Sequence, residues 1–129
     1  MRTVDTDQEI QDMARGAVLL GTGGGGDPYV GELFLRAQLK KGKKATIVDS
    51  SEVDDDAFVI SIAGIGAPPV LIEHLVSDKL LLKILARAEA FYGRRVDYLI
   101  SCEIGGANSM FPLALSAISG VPVRSAPPR

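Results

Sequence analysis

The sequence has no tryptophan, one cysteine (Cys102) and one histidine (His74) among its 129 residues. A single thiol excludes an internal disulfide and fits a reducing compartment. A single histidine excludes a multi-histidine metal centre within one chain. No apolar run reaches the roughly 18 residues of a spanning helix. The polar, acidic opening MRTVDTDQEI does not read as a signal peptide. These absences give the expectation of a cytoplasmic protein with no membrane partner. Basic residues are not in excess either: 14 Lys and Arg stand against 16 Asp and Glu, for a formal net charge of -2. That balance argues against nucleic acid as a partner. The cluster Lys40, Lys41, Lys43 and Lys44 reads as a solvated helix end, where cations are favourable. No Gly-Lys-Ser/Thr occurs, which excludes a P-loop.

What is present is an ordinary globular mixture, 47% hydrophobic and 23% charged. Its length suits one domain, residues 1–129. Thr6 with Glu9 forms a capping box, so a helix is expected from Asp7 to near Gly16. The run AVLL (17–20) is too short for periodicity to decide between a strand and the tail of that helix. A helix is expected from Pro28 to Gly42, and another from Ser77 or Asp78 to Gly93. A fourth is expected over MFPLALSAIS, ending at Gly120. Strands are expected at 45–49, 57–63 and 97–103, with a last one at 121–125; AFVISIA is apolar enough to be buried on both faces. Alternating strands and helices predict an α/β fold, a mostly parallel sheet with helices on its faces.

Glycine turns recur after apolar runs: LLGTGGGGDP, SIAGIGAPP and ISCEIGGANS. Each has an acid in or near it, respectively Asp27, Glu73 and Glu103. If all three runs are parallel strands, the glycine-rich loops gather at the carboxyl edge of the strands, where open α/β sheets bind ligands. The segment 21–26 holds five glycines in six positions. Alanine would be more stable at each unless a close approach or positive φ is needed, so a ligand or tight packing is expected there. GTGGGG also matches G-x-G-x-x-G, with Asp49 ending the next strand, so a dinucleotide-binding module using Gly21–Gly26 is an alternative. Asp27 tells against it, because a carboxylate in the helix's first turn repels a pyrophosphate.

The strings LGTGGGGDPYVG, GAPPVLIE and SCEIGGANSMFPLALSAISGVPV together resemble the N-terminal domain of the S-methyl-thiohydantoin desulfurase family, encoded beside hydantoinases and oxoprolinases. The resemblance spans roughly residues 7 to 123. It implies an intracellular hydrolase acting on a small five-membered cyclic amide by displacing a methylthio group. It also implies a second domain beyond this one. Members continue after GVPV with an acidic, glycine-rich stretch, whereas this chain reads RSAPPR. Pro69 stands where Thr is expected, and His74 where a longer basic residue is usual.

Water attacking an amidine-like carbon needs a base, and donors for the charge that develops on the ring. Glu103 directly follows a strand, so it is expected to be held, partly desolvated, as the base. Asp27 is expected either to bind ring N–H groups or to cap the helix at Pro28. Asn108 suits an amide ring or an N-cap. Gly23, Gly24, Gly25, Gly26, Glu73, Gly105 and Gly106 complete the expected binding set. Cys102 shares a strand face with Tyr98 and Ile100 and is expected to be a small core hydrophobe. No ligand spacing identifies a metal or a cofactor. A domain lacking its second half exposes apolar surface, so a homo-oligomer or a non-catalytic assembly unit is a further expectation.

Overall fold

Thr6 opens the first helix as the spacing predicts: its hydroxyl accepts from the Glu9 N–H at 3.3 Å, and Glu9 reaches back to the Thr6 N–H. The computed structural model describes residues 1–66 and 76–125. In chain order the described elements are β1 (Arg2–Val4), α1 (Asp7–Gly21), α2 (Pro28–Lys40), β2 (Ala45–Val48), β3 (Val59–Ile62), α3 (Asp78–Tyr92), β4 (Tyr98–Ser101), α4 (Gly106–Ser119) and β5 (Val123–Arg124). The acidic turn after β2 holds one short 3-10 turn, Ser50–Glu52, capped by Asp49.

The five strands form one sheet in the order β1-β2-β5-β4-β3. Every neighbouring pair is parallel except β1 with β2. The fold is therefore α/β with a mostly parallel sheet. β1 has no counterpart in the sequence reading, because three residues beside the amino terminus carry no alternation to detect. β3 was expected to be buried on both faces; it lies at the sheet edge, with Ile62 buried and Ser61 exposed.

α4 is the centre of the molecule. Residues 106–108 and 110–117 are all buried, the mark of a helix that is apolar on every side. It packs on the sheet on one side and on α1, α2 and α3 on the others. Gly31 of α2 lets that helix approach, since a Cβ there would stand 2.4 Å from the Met110 Cβ. Ser116 ties α4 to the sheet, its hydroxyl accepting from the Thr46 N–H at 3.1 Å. Leu99, Ala114 and Leu115 are fully buried around it.

α1 runs beyond Gly16 through Leu20 to Gly21, so AVLL is helix and not strand. Ala17 faces the core, while Val18, Leu19 and Leu20 are exposed. The first glycine turn thus follows a helix, and only the other two follow strands. α4 starts at Gly106, three residues before the predicted loop ends, with Gly105 at the N-cap position.

Candidate functional site

The β3 and β4 turns and the glycine run meet at the start of α4. Chain reversal at Thr22, in the left-handed region at φ 45°, turns the glycine segment back over that helix. Two backbone carbonyls then seat on α4: the N–H of Ala107 donates to Gly26 O at 3.1 Å, and the N–H of Asn108 to Gly25 O at 3.2 Å. These are orphan first-turn donors, normally met by a side-chain cap. Here a neighbouring loop satisfies them. Glycine is obligatory at the contact. A Cβ on Gly106 (φ 63°) would lie 2.4 Å from the Gly25 carbonyl carbon, and one on Gly25 (φ 76°) 2.4 Å from Gly105 O. Gly21 and Gly105 abut in the same way.

Asn108 bridges the two strand turns. Its Nδ2 donates to Glu103 Oε1 at 2.7 Å, and its Oδ1 accepts from the Gly64 N–H at 2.8 Å. It is therefore not the N-cap; it lies within the first turn of α4, buried, and fixes a carboxylate after β4 to the backbone after β3. Glu103 Oε1 also touches the Gly25 position, 3.0 Å from where a Cβ would stand. Residue Glu103 is exposed, contrary to the partly desolvated carboxylate expected, because β4 ends at Ser101 and leaves the acid on the open side of the turn. For the same reason Cys102 is exposed rather than part of the core.

A proline sets the carbonyl side of this turn. Pro112 lies inside α4 and has no N–H to give the Asn108 carbonyl four residues back. That carbonyl instead lies 3.0 Å from the Ser101 hydroxyl, whose single proton it shares with Glu103 O at 2.6 Å. Ser101 was not singled out from the sequence. The signal lay in the spacing of Asn108 and Pro112, which leaves one helix carbonyl in want of a donor.

Asp27 caps α2, its Oδ1 accepting from the Tyr29 N–H at 2.9 Å. It also lines an open depression of about 260 Å³ with Val18, Gly23, Gly24, Gly26, Pro28 and Gly106. Glu103 and Asn108 are not among the residues lining that depression. The predicted set is thus divided. Gly25, Gly105, Glu103 and Asn108 form the bridged turns, while Asp27, Gly23, Gly24, Gly26 and Gly106 form the adjoining hollow. Glu73 and His74, with Pro69, lie outside the described residues. Among the described residues no three His, Cys, Asp or Glu side chains come together to hold a metal ion. No described helix is long and apolar enough to cross a membrane.

The dinucleotide fingerprint needs a strand before its glycines and free N–H groups at the helix after them. Here a helix precedes the glycines, and the Asp27 carboxylate caps the helix that follows, accepting from its Tyr29 N–H. At α4 the Ala107 and Asn108 N–H groups are already taken by the Gly26 and Gly25 carbonyls.

Fold and site define an α/β domain whose glycine-rich loop is docked on the first turn of a buried helix, beside a carboxylate–carboxamide pair. The chain belongs to the S-Me-THD-like N-terminal domain family, whose model matches residues 8–126. A protein from Chromobacterium violaceum, solved by X-ray crystallography, has the same fold at TM-score 0.74 and 23% identity. The match covers 98% of this chain and 35% of that one, so the chain spans about a third of its neighbour's length. No curated protein matches it.

Proposed function

We propose that this domain supplies the water-activating edge of a hydrolase acting on small cyclic amides of the S-methyl-thiohydantoin type. The observation that carries the reading is the Glu103–Asn108 contact at 2.7 Å, made rigid by the Asn108 bond to the Gly64 N–H. A carboxylate held by one oxygen leaves the other free for water. In the reaction, Glu103 takes a proton from water as its oxygen bonds to the ring carbon carrying sulfur. The ring C=N pair moves to nitrogen, which takes a proton; the added hydroxyl then loses its proton as the C–S bond breaks, and the methylthiolate leaves with the proton Glu103 took from water, so the ring keeps a carbonyl and an N–H. Glu103 does not line the depression of about 260 Å³ beside Asp27, so in this reading the ring sits at its rim, where Gly26 and Gly106 adjoin the Gly25–Glu103 contact. Asp27 faces the ring N–H groups in this reading, while its Oδ1 caps α2.

Release of methanethiol from an S-methyl-thiohydantoin, followed with a thiol reagent, tests the proposal. Glu103→Gln keeps the shape of the pair and removes the base, so turnover should fall by about 10²–10⁴-fold. Turnover equal to that of the unaltered protein removes Glu103 from the role.

A further inference from the structure

Three large apolar residues adjoining the bridged turns along the chain or through backbone contact are exposed. Leu20 is 64% exposed, Ile104 54% and Ile65 100%. The Leu20 carbonyl carbon stands 3.3 Å from where a Cβ on Gly105 would be, so Leu20 and Ile104 flank one backbone contact. Ile65 follows Gly64, which Asn108 holds by its N–H. Val18, at the mouth of the Asp27 depression, extends the patch and is 60% exposed. Scattered single apolar residues on a surface are normal, but several converging around a polar centre mark an interaction site.

The charge within the described segments of this edge is acidic, although Asp27 and Val18 also line a hollow with Arg15 and Arg36. The segments that build the edge, residues 18–28, 62–66 and 101–108, contain Asp27 and Glu103 and no Lys or Arg. Neither carboxylate takes part in an ion pair among the described residues. A complementary surface is therefore apolar, with cationic or N–H donor groups facing Glu103. The family is defined as an N-terminal domain, and the neighbour of the same fold has almost two-thirds of its chain outside the match.

We infer that the carboxyl edge around Leu20, Ile65 and Ile104 is an interdomain face, covered by the domain that makes up the rest of the neighbour's chain. That domain presents an apolar surface carrying basic groups and closes over Glu103 and Asn108. The closure rests on reading this edge as the reactive site; the docking does not.

Cys102 reports on the face directly, being the one cysteine of the chain, exposed, and next to Glu103 and Ile104. The full chain is grafted into the Chromobacterium violaceum protein in place of the segment it matches. Alkylation of the Cys102 peptide by a maleimide is then followed by mass spectrometry. The rate should be at least tenfold lower in the graft than in the chain alone; equal rates in a graft with one melting transition overturn the inference. A second measurement needs only the chain. With Leu20→Lys and Ile104→Lys together, fluorescence of an apolar dye bound to the folded chain should fall by half or more at unchanged melting temperature. Unchanged dye binding overturns the inference. So does a Cys102 rate that falls as chain concentration rises, which would make a second copy the occupant. Methanethiol release by the open chain, with Cys102 freely alkylated, sinks the closure and spares the hydrolase reading. A protected Cys102 without turnover does the reverse.

Discussion

Glycine has opposite value at two positions in this chain, and the backbone decides which. Gly16 sits inside α1 with nothing within 4 Å of an added Cβ. Gly16→Ala should therefore raise stability by roughly 0.5–1 kcal/mol, through the unfolded state's lost freedom and better helix propensity. Gly106 has φ 63°, and a Cβ there would meet the Gly25 and Gly26 backbone at 2.4–2.5 Å. No flexible side-chain end can yield at that contact, so Gly106→Ala should cost several kcal/mol, roughly the upper range of single substitutions. Urea unfolding of the two variants checks both signs. Glu9 provides a residue-level dependence on pH. Its carboxyl is lowered from 4.5 to about 2, chiefly by the Arg2 guanidinium, then by the Thr6 hydroxyl and the Asp5 and Thr6 amides. The folded value lies below the unfolded one, so the stabilisation is complete above pH 4.5 and is lost as pH falls through about 2. Glu9→Gln should flatten the acid limb of the unfolding midpoint between those values and leave its slope above pH 5 unchanged.

At the scale of elements, the start of α4 is held by a trade between a proline and a serine. Pro112 leaves the Asn108 carbonyl without its helical donor, and Ser101 supplies one. Ser101→Ala should cost about 1–3 kcal/mol, since a buried carbonyl is then unpaired. In a Pro112→Ala background the restored N–H can take that carbonyl, and the same serine substitution should cost much less. A double-mutant cycle in urea measures the coupling, and additive effects would dismiss the trade. The elements themselves were readable where capping chemistry was explicit. Thr6 with Glu9, Ser77, and Gly93 and Gly120 in the left-handed region all stand at the ends their residue types predict. Where the cap was backbone, the sequence held no such sign. The start of α4 is satisfied by the Gly25 and Gly26 carbonyls, so it was read four residues late. AVLL was undecidable because four apolar residues are too few to show a period; in the structure only Ala17 of the four is buried.

At the scale of the molecule, the recurrence of glycine turns foretold that distant loops would meet, and the Glu103, Asn108 and Gly25 contacts are that meeting. It did not foretell that one loop would come from a helix, nor which backbone the glycine run would pack against, though tight packing was one of the two expectations for it. Tertiary contact of that kind leaves no trace in local spacing. The sheet carries the last prediction. β5 has two residues, yet it lies between β2 and β4 and joins the halves of the sheet. Val123 is buried and pairs with both Ile47 and Leu99. Pro122 O accepts from the Leu99 N–H at 2.8 Å, and the Ser125 N–H donates to Val48 O at 2.8 Å. Without this segment, β1-β2 and β4-β3 become two strand pairs, each with an open inner edge, and two-stranded pieces are marginal in water. A chain ending at Gly120 should therefore lose its cooperative thermal transition, while Val123→Ala keeps the transition and lowers its midpoint. Circular dichroism melts of the two separate a joining strand from a dispensable end, and a shortened chain that melts where the full one does would show that α4 alone holds the halves together.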